Sequence, residues 1–264
     1  MMSRTLRLSD GLSVRILEAG VGTPLVLIHG VGMCAEAWAP QIAALSSDNR
    51  VIAIDMPGHG HSDPIAEGAK LPAYVAWATR VIEALGCAPV NLAGHSMGAL
   101  IAAGVAIDHP DLVRRVALLN GVHRRTAEQR QAVLARAAEI SRGDLNIDGP
   151  LSRWFATDYP EVRQTVAGWL ASVSPKGYAT AYAAFADGDG LYADRMTDIR
   201  CPALMLTGDG DANSSPEMSE SMAMAAPLGR ALVIDGHRHM VNLTAPEMVI
   251  KALREWLQRE EVTA

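Results

Sequence analysis

Apolar positions in this chain fall into two rhythms. Thr5 to Gly20 alternates apolar and polar residues on both sides of Asp10-Gly11, a turn pair suited to a hairpin. Then come short runs with no polar alternation: Pro24 to Gly30, Arg50 to Gly58, Pro89 to Ser96 and Arg114 to Gly121. Such runs suit strands buried on both faces, the condition of a parallel sheet. Between them, Ala37 to Asp48 and Leu71 to Gly86 carry helical spacing, and Gly86 suits a C-cap. Strand–helix alternation predicts βαβ units with helices on both faces.

The rhythm breaks after Gly121. From His123 to about Arg195 the chain reads as helices and loops only, as in Arg125–Gly143 and Glu161–Val173. Strand-like runs resume at Cys201–Asp209 and Arg230–Gly236, and an amphipathic helix is predicted over Pro246–Glu260. A helical insertion between two sheet strands predicts a cap over the strand ends. The expected division is a core of residues 1–122 and 196–264 with a cap of 123–195.

Composition narrows the function class. The 264 residues carry 49% hydrophobic and 20% charged residues, ordinary for a folded domain, and only two Phe, so the core is aliphatic. A net charge of −6 with no basic stripe excludes a nucleic-acid partner. Three cysteines, Cys34, Cys87 and Cys201, are too few for a disulfide framework or a structural zinc site. The basic start lacks an apolar segment behind it, and no run is long enough to span a membrane. The expectation is a cytoplasmic protein with a small-molecule substrate and no cofactor, metal or membrane partner, its oligomeric state left open.

The candidate chemistry begins at Gly94-His95-Ser96-Met97-Gly98, which follows a predicted strand and opens a predicted helix. In that context G-x-S-x-G places a serine on a tight turn at the carboxyl edge of the sheet, with a helix N-terminus behind it. A serine hydroxyl needs a base to take its proton. His237 and His239 both follow the last predicted strand, and Asp209 and Asp211 both follow the one before; spacing alone leaves each pair open. Oxyanion donors are expected at the Met97 amide and in the loop His29-Gly30-Val31-Gly32. A rival reading takes His59-Gly60-His61-Ser62-Asp63 as an H-x-H-x-D metal site, although Pro64 stands where a further histidine is usual.

Leu27–Gly32, Asp55–Asp63, Gly94–Gly98, Gly208–Asp211 and Gly236–Glu247, in this order, resemble the α/β-hydrolase superfamily, in particular its serine-nucleophile esterases and enol-lactonases. The resemblance implies a mostly parallel eight-stranded sheet with helices on both faces and a helical cap inserted after the sixth strand. It also implies that Ser96, Asp211 and His239 are catalytic, with His239 seven residues before Pro246, and that the Val31 and Met97 amides form the oxyanion hole. The activity implied is hydrolysis of a small to medium carboxylic ester or lactone through an acyl-enzyme. Alternatives on the same fold are a carbon–carbon bond hydrolase, a cofactor-free perhydrolase, a hydroxynitrile lyase and a ligand-binding receptor. In the cap, Trp154, Phe155, Trp169, Tyr178, Tyr182 and Phe185 are candidates to line a pocket, as is Trp38 beside the oxyanion loop.

Overall fold

A computed structural model describes residues 1–155 and 158–259. Eight strands form one sheet: β1 (Met2–Arg7), β2 (Ser13–Ala19), β3 (Thr23–Ile28), β4 (Asn49–Ile54), β5 (Val90–His95), β6 (Val113–Leu119), β7 (Ala203–Gly208) and β8 (Gly229–Ile234). Their order across the sheet is β1-β2-β4-β3-β5-β6-β7-β8. β2 runs antiparallel to both β1 and β4, and the remaining pairs are parallel. The continuous apolar runs are therefore the central strands, as their lack of alternation requires.

Both faces of the sheet are covered. The helices are α1 (Ala39–Leu45), α2 (Leu71–Leu85), α3 (Met97–Asp108), α4 (Ala127–Ser141), α5 (Asp148–Trp154), α6 (Pro160–Ser172), α7 (Pro175–Gly188), α8 (Pro216–Ala225), α9 (Val241–Thr244) and α10 (Pro246–Leu257). Strand residues alternate between two apolar layers: Val26 and Ile28 join α2, α3 and α8 in one, while Leu25 and Leu27 join α1 and α10 in the other. The spacing of the buried α10 residues Val249, Ala252, Leu253 and Trp256 is that of one helical face. Glu260, the end of the run predicted for this helix, lies outside the described residues. Gly86 closes α2 with φ +63, as its C-cap position predicts. Among the described residues no helix is long and apolar enough to cross a membrane.

Helices α4 to α7 intervene between β6 and β7, after the sixth strand. They sit on the loops that leave the carboxyl ends of the strands. A Cβ on Gly177 in α7 would lie 2.3 Å from the Gly58 carbonyl oxygen, and one on Gly32 would lie 2.5 Å from Leu170 of α6. Glycine at these places lets the inserted helices approach the core backbone directly.

Candidate active site

Ser96 stands between β5 and α3 at φ 55, ψ −117, a strained conformation for a residue with a side chain. The flanking glycines are sterically required. A Cβ on Gly94 would lie 2.0 Å from the Gly98 carbonyl oxygen, and one on Gly98 would lie 2.3 Å from that of Ile28. The turn therefore packs strand, helix and β3 too closely for a side chain at either glycine. Strain of this kind costs about 1–3 kcal/mol and is held by the surrounding packing.

His239 and Asp211 meet behind it. His239 Nδ1 donates to Asp211 Oδ2 at 2.8 Å, and both side chains are nearly fully buried. With Nδ1 carrying the proton, Nε2 retains its lone pair, the state a general base needs. Asp211 Oδ2 also accepts from Asn120 Nδ2 at 2.8 Å, and Oδ1 accepts from the Asn213 amide at 2.8 Å. Burial pushes the Asp211 carboxyl up, but His239 and these donors outweigh it and hold it below its ordinary value.

The two pairs left open by spacing separate cleanly. Asp209 Oδ1 accepts from the His237 amide at 3.2 Å, and His237 Nδ1 meets Thr244 Oγ1 at 3.0 Å. These two residues fasten the β7 and β8 loops to each other and to α9. Asp211 and His239, each two positions on, form the buried pair instead.

Ser96, His239 and Val31 face a cavity of about 400 Å³ whose other side is made by α4, α5 and α7. Trp154, Tyr178, Tyr182 and Phe185 line it, so four of the six aromatic candidates belong to the pocket. Phe155 is buried in the core, Trp169 packs against the core, and Trp38 is fully buried under α1. Gly30 abuts the serine, since a Cβ there would lie 3.0 Å from that of Ser96. The loop after it is set by two buried histidines. His59 Nε2 accepts from the Gly32 amide at 3.0 Å, and His29 Nε2 accepts from the Met56 amide at 2.9 Å. The Val31 and Met97 amides have no acceptor among the described residues and are available to a ligand oxygen.

The H-x-H-x-D segment has other work. His59 Nδ1 meets the Pro57 carbonyl at 3.0 Å, and Asp63 Oδ2 accepts from the Ser13 amide at 2.8 Å. Among the described residues no group of three or more His, Cys, Asp or Glu is placed to hold a metal ion. Burial, reinforced by its neighbour His29, pushes His59 down to about 3, so it is neutral. His95 beside the serine is likewise pushed to about 3, by burial and by His239, and its Nε2 donates to the His239 carbonyl at 2.8 Å.

Three groups at this site were not among the sequence candidates. Asn120, at φ 49 just past β6, supplies the second donor to Asp211; its place at the end of a central strand was the available signal. Arg125 and Arg153 line the cavity from the inserted segment and lie in no motif.

Comparison with known proteins agrees with this fold. A model of the alpha/beta hydrolase family matches residues 25–252. The chain is 52% identical over 260 residues to an (E)-2-((N-methylformamido)methylene)succinate hydrolase of Acinetobacter baylyi, spanning 98% of this chain and 99% of that protein. It is similar to the crystal structure of an enol-lactonase from Burkholderia xenovorans, with a TM-score of 0.89 and 25% identity over 97% of this chain and 100% of that one. It is also similar to a thermophilic esterase from Thermogutta terrifontis with malate bound, at TM-score 0.88 and 26% identity over 98% of each chain.

Proposed function

The chain belongs to the alpha/beta hydrolase family, and on that footing we propose that it is a serine hydrolase in which Ser96, His239 and Asp211 act together. The observation that carries this reading is the buried His239–Asp211 hydrogen bond beside a cavity that Ser96 also lines. Residues 123–195 act as a cap over a core of 1–122 and 196–264, closing the cavity around the substrate.

In the proposed reaction Ser96 Oγ attacks an acyl carbon while His239 Nε2 takes its proton. Asp211 holds the imidazole in the required tautomer and stabilises its cation. The amides of Val31 and Met97 receive the oxyanion; one such donor is worth about 2.7–4 kcal/mol in the transition state. His239 then protonates the leaving group, and water activated by the same nitrogen releases the acyl group from Ser96. No step calls for a cofactor.

The acyl carbon is that of a small ester, a lactone or an activated amide. The Acinetobacter relative is named for a formyl group on a nitrogen attached to a carbon–carbon double bond, and the Burkholderia neighbour for an enol lactone. In both, the departing atom is conjugated with an alkene, which makes it a better leaving group than a plain amine or alcohol. A site with one general acid and one oxyanion hole suits such substrates.

The test is covalent labelling with a fluorophosphonate, alongside turnover of p-nitrophenyl acetate and of the relative's named substrate. Wild type should label once, and Ser96→Ala should lose label and turnover while keeping its melting temperature. Labelling that survives in Ser96→Ala would overturn the assignment.

A further inference from the structure

The inserted helices bring cations into the cavity of a chain whose overall charge is negative. Arg125, Arg136 and Arg153 all line it, and all three act on the Tyr182 phenol, whose pKa burial raises and the arginines oppose. Their own partners differ. Arg136 is matched, with Glu139 at 3.0 Å and Asp144 at 3.7 Å. Arg125 and Arg130 share a single fully buried carboxylate, Asp189, at 3.1 and 3.0 Å. Arg153 has no carboxylate partner among the described residues.

Arg125 is the most constrained of these. Its side chain is 5% exposed, its Nη1 donates to Asp189 and to the carbonyls of Phe185 and Ala186, and its guanidinium lies 4.4 Å over the Phe185 ring. Yet its Nη2 is buried without an acceptor. A buried guanidinium donor left unsatisfied costs more than a neutral one, so such a group is usually completed by an anion. Two guanidiniums at the cavity thus lack a full set of acceptors: Arg125, through its buried Nη2, and Arg153, which has no carboxylate partner among the described residues.

We propose that Arg125 and Arg153 form a dicarboxylate-binding wall in this cavity, making the enzyme selective for small acyl compounds that carry two carboxylates. Arg125 is the inner anchor, a fixed cation held against a rigid aromatic ring, and Arg153 meets the second carboxylate nearer solvent. Trp154 and Tyr182 flank the carbon skeleton between them. This rests on the reading of the cavity as the place where Ser96 acts, and it agrees with the succinate skeleton in the relative's name and the malate in the esterase neighbour.

Isothermal titration with succinate tests the wall without requiring turnover. Wild type should bind succinate at least about tenfold more tightly than acetate or dimethyl succinate, with affinity falling as salt rises. Arg125→Gln and Arg153→Gln should each weaken succinate binding by about tenfold or more, and Lys251→Gln, on the outer face of α10, should not. Because Arg125→Gln also breaks the Asp189 pair, Arg125→Lys and the exposed Arg153→Gln are measured with it; partial recovery in the lysine variant is expected. Equal affinity for succinate and dimethyl succinate, no succinate binding by wild type, or unchanged binding in both glutamine variants would overturn the proposal. Titration of Ser96→Ala separates the two readings: retained succinate binding with lost turnover supports both, and retained turnover removes the nucleophile assignment while leaving the anion wall standing.

Discussion

Trp154 lies stacked over His239, with ring centroids 5.5 Å apart and planes 28° from parallel. Trp154 is the last residue of α5, so the inserted helices touch the proposed base itself. The same helix is held down by Arg238, whose guanidinium donates to the carbonyls of Ser152 and Phe155 at 3.2 and 3.1 Å. An indole face stabilises a cation by about 0.5–2 kcal/mol, and the imidazole is cationic only while Ser96 has given up its proton. Trp154→Ala should therefore lower kcat by about 3- to 30-fold, with a smaller change for Trp154→Phe. Stopped-flow measurement of the acylation burst checks this; an unchanged burst rate would mean that the ring only fills space.

Asn120 carries a second prediction. Its side-chain amide and His239 donate to the same oxygen of Asp211, both at 2.8 Å, and its main-chain carbonyl oxygen accepts from Ser214 Oγ at 2.6 Å. A hydrogen bond to a buried carboxylate is worth about 1.5–3 kcal/mol, so Asn120→Ala should cost about 10- to 100-fold in kcat with little change in KM. Asn120→Asp should cost more, since two carboxylates this close cannot both ionise and the shared proton competes with His239. Steady-state kinetics of the two variants give the order; Asn120→Asp as active as wild type would be the contrary result.

The backbone plan was readable because burial on both faces leaves a simple mark. Leu25 to Ile28 in β3 present apolar, fully buried side chains to both faces, which marks a central strand. The motifs also carried Ser96 and its two glycines, because steric limits at a tight turn are local. Side-chain direction in loops is not local. His237 and His239 are two residues apart in the same loop, and one bonds Thr244 while the other bonds Asp211. No periodicity tells them apart; family spacing did. Trp154 and Phe155 are neighbours in the chain, yet one lines the cavity and the other is core, which depends on how α5 sits. Arg125 was silent for a different reason: its meaning comes from Asp189 and Phe185, about sixty positions away.

The buried histidines set a pH dependence of stability. His59 and His95 are held near 3 when folded, whereas an exposed histidine titrates near about 6.5. Below the unfolded value the unfolded chain binds protons that the folded chain refuses. Stability is thus undiminished above about pH 6.5 and falls as pH drops toward 3, by about 1.4 kcal/mol per pH unit for each such histidine. Guanidinium unfolding at pH 7, 6 and 5 should show this decline, and His59→Gln should flatten it while losing some stability at pH 7 through the Gly32 contact. A slope that His59→Gln leaves unchanged would place the proton uptake elsewhere.

The contact between Gly58 and Gly177 makes the last prediction, because it joins the inserted helices to the core without any side chain. A Cβ on Gly177 would approach the Gly58 oxygen to 2.3 Å, and one on Gly58 would approach Gly177 Cα to 2.7 Å at a φ of +71. Backbone on both sides leaves nothing soft to give way, so Gly177→Ala must push α7 off the loop. Gly68 has a similar φ of +76 but open space around it, so Gly68→Ala measures the conformational term alone. Overpacking of this kind costs about 1–3 kcal/mol, or about 2–12 °C in Tm for a chain of this size. Moving α7 also moves Tyr178 and Tyr182, so Gly177→Ala should raise KM, whereas Gly68→Ala should change stability by about 1 kcal/mol and leave KM alone. Equal effects of the two substitutions on both Tm and KM would show that the inserted helices do not depend on this close approach.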